Sequence, residues 1–225
     1  MNYPYRWSVI IMTAFVLFGC EESEGELSTS ASLSFAVPNA GSIMKAADQH
    51  VTLDTVKILL KTIQFHNEVE DDSLDFKTEP QILNLDLSGG VNTLATAEIP
   101  MGNYHKVSFR IHKPEDDEDP GDSDFFESSS GNDRYSVVVK GHVGETPFTF
   151  RSRKTSKQRV DLDPALVIEE EGSEVNVTLT VDVSSWFVDE DGNHLDPLDE
   201  GDENEIDNAI RRSFRGFRDD DRSGS

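Results

Sequence analysis

The chain has 225 residues, with 44 acids against 20 lysines and arginines, a formal charge of −24 and 36% hydrophobic residues. That length suits one domain of ordinary size with tails, and so negative a field excludes nucleic acid, whose phosphates it repels, while favouring cations or a basic partner. The acids are clustered rather than spread, which predicts an ordinary β core carrying disordered acidic appendages.

At the amino end Arg6 precedes an apolar run, Val9–Phe18, interrupted only by Thr13 and followed by Gly19 and Cys20. The run is too short to span a bilayer and has the shape of a signal-peptide core. Leu17-Phe18-Gly19-Cys20 resembles the lipobox of bacterial lipoproteins, and Cys20 is the only cysteine of the chain. The resemblance implies cleavage before Cys20, a diacylglycerol thioether on its sulfur and acylation of its new amine, with palmitate as a label. Several acyl chains hold a protein on a membrane where one does not. The competing reading is an ordinary secretory signal. Glu21-Glu22-Ser23-Glu24-Gly25-Glu26 reads as a solvated tether. It is also similar to the acidic export signal that carries some Gram-negative lipoproteins to the outer face of the outer membrane. The expected location is therefore the outer membrane of a Gram-negative bacterium, exposed at the surface or facing the periplasm.

The mature chain reads as strands. Leu33, Phe35 and Val37 alternate with small residues up to Pro38-Asn39, and Ala40–His50 is a loop or short helix. A long strand spans Leu53–His66, with its apolar parity flipping near Lys61-Thr62, which a β-bulge accommodates. Glu68–Asp75 is an acidic turn, and Ile82, Leu83, Leu85 and Leu87 make the next strand, closed by Gly89-Gly90. Pro100-Met101-Gly102-Asn103 is a turn signal. The strand after it puts His105, Val107, Phe109 and Ile111 on one face and Tyr104, Lys106, Ser108, Arg110 and His112 on the other. Pro114–Asp124, PEDDEDPGDSD, is too polar to pack and is expected to be disordered. Tyr135, Val137 and Val139 begin a strand that Val138 makes apolar on both faces, and Val143-Gly144-Glu145-Thr146 turns into Phe148-Thr149-Phe150. Val160–Asp163 and Leu166–Ile168 are short strands. Glu174–Phe187 has the cleanest alternation: Val175, Val177, Leu179, Val181 and Val183 for a core, with Asn176, Thr178, Thr180 and Asp182 for water.

Many short strands with regular turn signals predict a mainly β fold, an antiparallel β-sandwich, with one C-terminal helix. The predicted division is a signal peptide over 1–19, an acidic tether over 20–29, a β-sandwich domain over 30–187 and an acidic segment with a helix over 188–225. The stretch LDLSGGVNTLATAEIPMGNYHKVSFRIHK, with Ile99-Pro100-Met101-Gly102-Asn103-Tyr104 at its centre, resembles the central signature of an uncharacterised bacterial extracytoplasmic family, domain of unknown function 4382. The resemblance implies a transthyretin-like or immunoglobulin-like sandwich on secreted or lipid-anchored proteins, and it supplies no catalytic residues.

Catalytic motifs are weak. Ser42-Ile43-Met44-Lys45 matches the Ser-x-x-Lys of penicillin-binding proteins, but the chain lacks the companion Ser-Asp-Asn and Lys-Thr-Gly, so the match is read as chance. His105 and His112 fall on opposite faces of one strand and do not converge on a metal. Two acidic loops are candidates for calcium. Asp219, Asp221 and Ser223, followed by Gly224, fit the first half of an EF-hand loop. Asp189, Asp191 and Asn193 form a second cluster that fits a turn at least as well. A helix capped by Asp202, with Glu205 completing a capping-box-like pair, carries the stripe Ile206, Ala209, Ile210, Phe214 and Phe217 and resembles an EF-hand entering helix. If it packs back on the core, the two loops approach and share one ion.

The expected function is a lipid-anchored extracytoplasmic binding or structural module of the cell envelope, without enzymatic activity. It is joined to the membrane through Cys20, binds no nucleic acid and meets an unidentified protein or glycan. The alternatives are a calcium-responsive adhesion or assembly module and a hydrolase with an unrecognised site.

Overall fold

The computed structural model describes residues 29–38, 44–46, 49–67, 80–99, 101–126, 133–169 and 174–223. The signal segment 1–19, Cys20, the rest of the tether up to residue 28, Ser42 and Ile43, and the acidic turn 68–75 lie outside the described residues.

Among the described residues the chain runs β1 (Thr29–Ala36), β2 (Met44–Ala46), β3 (Gln49–Asn67), β4 (Gln81–Asn84), β5 (Val91–Ile99), β6 (Gly102–Ile111), β7 (Val137–Val143), β8 (Thr146–Ser152), β9 (Ser156–Ile168), β10 (Glu174–Val181), α1 (Glu203–Arg212) and β11 (Phe214–Arg218). The fold is mainly β with one helix, as the composition of the segments predicts. No described helix is long and apolar enough to cross a membrane.

The sequence predicts an antiparallel two-sheet sandwich; the described strands form one continuous, mixed sheet. Its order is β5-β1-β10-β11-β9-β6-β3-β7-β8, with β2 and β4 pairing with β3 off this path. The pairings β1–β10 and β11–β9 are parallel. The second of these rests on one matched pair, Gly216 opposite Leu162, and it joins two halves that would otherwise be separate sheets. The sheet curls into a half-barrel, so both halves contribute to one core. Phe109 of β6 lies at the junction, with ring centroids 6.0 Å from Phe35 of β1 and 5.2 Å from Phe214 of β11, both edge to face.

In β3 the predicted parity flip is a bulge. Register shifts between Lys61 and Gln64 in the pairing with β6, and Thr62 takes a φ of 57°. The extra residue returns Ile63 and Phe65 to the same core as Val56, Ile58 and Leu60. A β-branched residue pays a steric penalty at positive φ that glycine does not. Thr62→Gly is therefore expected to raise stability by up to about 1 kcal/mol, read as the shift of a urea unfolding midpoint. A loss of stability would mean that the threonine side chain holds the bulge.

Three expectations fail for identifiable reasons. Asn176 and Thr178, predicted to face water, are buried. β10 is interior to the sheet, and the chain after β11 returns over its polar face. Tyr104, predicted on the outer face, is fully buried because a register shift between Tyr104 and Lys106 displaces it inward. Val160–Asp163 and Leu166–Ile168 are parts of one strand, β9.

The C-terminal helix is also shorter than the apolar stripe suggests. It ends at Arg212, and Phe214 and Phe217 belong to β11, which inserts between β10 and β9. Ile206, Ala209 and Ile210 do face the core. Asp202 precedes the helix but makes no side-chain cap; its carboxylate accepts from the Asp196 amide at 2.8 Å. The EF-hand arrangement, in which a helix leads directly into the Asp219 loop, is thereby replaced by helix, strand and turn.

Candidate functional site

Each of the two loops singled out for calcium is closed by hydrogen bonds of its own. Asp189 Oδ1 accepts from the amides of Asp191 at 2.9 Å and Asn193 at 2.7 Å, while Oδ2 accepts from the Asn193 side-chain amide at 2.8 Å. The Asn193 side chain, with these amides behind it, holds the Asp189 carboxyl below the usual carboxylate range. This is an Asx-type turn closing on itself. Glu190 beside it pairs with Arg212 at 2.7 Å.

Asp219 is buried at the other end of β11. Its Oδ2 accepts from Thr178 Oγ1 at 2.7 Å, and its Oδ1 from the Ser223 amide at 2.9 Å and hydroxyl at 3.3 Å. Asp221 Oδ1 accepts from the same Ser223 amide at 3.1 Å. Asn176 donates to the Asp219 carbonyl at 2.9 Å and accepts from Ser34 at 2.7 Å. The 219–223 turn is thus a polar plug over β1 and β10. The five residues of β11 lie between the Asp219 turn and the end of α1, a span of about 16 Å at strand rise. Among the described residues no group of three or more His, Cys, Asp or Glu side chains is placed to hold a metal.

The loop 112–126, of which Pro114–Asp124 is expected from sequence to be disordered, is held by ion pairs. Lys57 on β3 reaches Asp122 at 2.6 Å and Asp124 at 2.8 Å, and Lys140 on β7 reaches both oxygens of Asp124 at 2.7 Å. The hydrogen bond from Lys57 lowers the Asp122 pKa, and those from Lys140 and then Lys57 lower that of Asp124. His112 lies 2.5 Å from Glu118. Burial opposes ionisation of Glu118, but the contact with His112 and the Glu115 amide hold its pKa below the ordinary value. Under this loop Leu59, Phe125, Tyr135 and Val138 form a second small core on the outer side of the sheet. That core explains why Val138 is apolar where alternation calls for a polar residue. The sequence showed the acids of this loop but not the lysines on distant strands that neutralise them.

Beside the loop a cavity of 590 Å³ is lined by Arg110, His112, Lys113, Asp117, Arg134 and Thr155 among others. It opens next to the outer face of β3, β6 and β9. On that face Lys61, Arg110 and Lys157 stand opposite one another across the three strands, followed by Gln64, Ser108 and Arg159. His66 Nε2 lies 2.7 Å from Ser108 Oγ, the distance of a nucleophile and its base. Ser108 is fully buried, however, and its hydroxyl also donates to Gln64 Oε1 at 3.3 Å. His105 and His112 do not converge: His105 sits within β6, while His112 lies beyond its end and is engaged by Glu118.

One signal in the sequence points to this face. Arg151, Arg153, Lys154, Lys157 and Arg159 fall within nine positions of RSRKTSKQR, with no acid among them, in a chain where acids outnumber bases 44 to 20. Attention to the acidic runs alone passes over it.

Residues 44–197 match the model of a family described as a domain of unknown function, DUF4382. No curated protein and no solved structure matches the chain.

Proposed function

We propose a function from one premise: the chain belongs to the family described as a domain of unknown function, DUF4382. The protein is a lipid-anchored, non-catalytic binding or structural module of the bacterial cell envelope, held at the outer membrane of a Gram-negative organism and meeting a protein or glycan partner. The curled sheet serves as a sandwich-like scaffold of transthyretin or immunoglobulin type, with its two layers joined where β11 meets β9. A loop fixed in place before a partner arrives loses less entropy on binding. The ion-paired 112–126 loop beside an open cavity supports the binding role in that way. The observation that carries the anchoring is the apolar run Val9–Phe18 ending at Gly19 and the chain's only cysteine.

Expression of the full chain and of Cys20→Ala in a Gram-negative host, with labelled palmitate, tests it. The natural chain is expected to take up label and sediment with outer membranes. The variant should carry no label and remain soluble or unprocessed. Label persisting in the variant would overturn the assignment of Cys20.

A further inference from the structure

We propose that the outer face of β6 and β9, with the cavity at its end, binds a phosphate-bearing saccharide. The ligand deepens the binding-module reading, and it is argued from the charge balance of the face rather than from the anchor.

Three cations near this face are neutralised. Lys61 is matched by Glu115 at 3.2 Å and Glu118 at 3.7 Å, Lys106 by Asp161 at 3.6 Å, and Arg134 by Asp116 at 2.9 Å. Beside them Arg110, Lys157 and Arg159 are exposed and make no ion pair or side-chain hydrogen bond among the described residues, and nor does Lys113 at the cavity mouth. Arg110 and Lys157 are directly opposed in register, a Cα separation of about 5 Å. Arg159 follows Lys157 on the same face after two residues, about 7 Å on. Three unpaired cations on so small an area repel one another in a molecule of charge −24 that has acids to spare. An anion with more than one charge and several acceptor oxygens relieves that repulsion, and a phosphomonoester matches two guanidinium forks and an ammonium better than a single carboxylate does.

The surroundings limit the rest of the ligand. Asp161 and Asp163 continue β9 on one side, and Glu115, Asp116 and Asp117 line the cavity on the other. A long polyanion meets acid in both directions and is repelled. A ligand with one charged end and a neutral body rich in hydroxyls is not. The cavity has the volume of a small-molecule site. Asp117 and Thr155 line it with no side-chain partner of their own. They supply the acceptor and the hydroxyl that a sugar ring requires.

Calorimetric titration decides this, using the full chain and the Cys20→Ala chain so that the result does not depend on anchoring. The probes are glucose 6-phosphate, inorganic phosphate, glucose, and phosphatidylcholine vesicles with and without phosphatidic acid. Glucose 6-phosphate is expected to bind both chains saturably, roughly tenfold or more tighter than inorganic phosphate or glucose, and more weakly as salt rises. Arg110→Ala and Lys157→Glu should each weaken it by roughly tenfold with thermal midpoints unchanged, since both side chains are exposed. No saturable binding of the sugar phosphate would overturn the proposal. So would equal affinity for inorganic phosphate, binding only to acidic vesicles, or affinity unaltered in both variants.

Discussion

Leu179→Ala is expected to lower the unfolding free energy by about 2–5 kcal/mol, a large share of the ~5–15 kcal/mol that holds a typical domain together. Leu179 is fully buried in the middle of β10, opposite Phe35 on β1 and Gly216 on β11. The surrounding side chains come from both halves of the sheet, so the hole left by truncation closes poorly. Gly216 supplies a control. A Cβ built there would stand 2.7 Å from Val160 Cγ1 and 2.8 Å from Leu179 Cδ2, so Gly216→Ala alone forces the contact apart and destabilises. Combined with Leu179→Ala, one of the two clashes disappears. The double variant should then lose less than the sum of the singles, by about 0.5–3 kcal/mol. Urea titration of the four proteins of this cycle measures it. Strict additivity would mean that Leu179 and Gly216 do not share the space their pairing implies.

The second large effect depends on pH. Asp207 on α1 is buried, and neither of its carboxylate oxygens completes a hydrogen bond. Burial pushes its pKa from 3.8 up to about 6, with Glu203 adding to the rise and the Ser152 hydroxyl, Lys154 and Arg211 opposing it. The folded state therefore holds this proton more tightly than the unfolded chain. The group costs nothing below pH 3.8, costs progressively more as pH climbs toward 6, and carries its full penalty above that. Two pKa units correspond to about 3 kcal/mol. Asp207→Asn removes the charge but leaves an amide that needs partners of its own, so a gain of about 1–3 kcal/mol is expected at pH 7.5. The gain should shrink to nothing, or reverse, at pH 4. Thermal melts of both proteins across that range check it. A difference that does not change with pH would locate the effect in packing instead of ionisation.

Asp207 also marks what the sequence hides. The stripe Ile206, Ala209 and Ile210 was legible because apolar residues at helical spacing need a surface, and those three are buried as the pattern demands. An aspartate beside them reads as solvent-facing by the same rule, and only its tertiary surroundings decide otherwise. The strands were legible for the same local reason. Alternation in Val175–Val181, the flip at Thr62 and the double-sided Val138 each report a face of the sheet without reference to partners. Parallel pairing of β1 with β10, the insertion of β11 and the burial of Asn176 under Asp219 depend on which distant segments meet. No local period encodes them. The candidate calcium residues illustrate the cost: Asp189 and Asp219 have loop-like spacing, yet their oxygens are taken by Asn193 in one case and by Thr178 and Ser223 in the other. The unpaired cations were hidden in the opposite way, since Arg110 and Lys157 are far apart in the chain and become neighbours only through the register of β6 and β9.

The position of β11 has a kinetic consequence. It follows every other strand in the chain, yet it fills a place in the middle of the sheet. Ser34 bonds to Asn176 across 142 residues, and topologies dominated by such remote contacts fold on the slow side, in milliseconds to seconds. During synthesis, at about 5–20 residues per second, β9 and β10 are complete while the strand that belongs between them has not yet been made. For that interval both present unpaired amides and carbonyls, the condition under which strands recruit the wrong neighbour. Folding yield is therefore governed by how long the nascent chain is kept from other chains, and a holding chaperone that shields those two strands until β11 arrives would raise it without changing the stability of the finished protein.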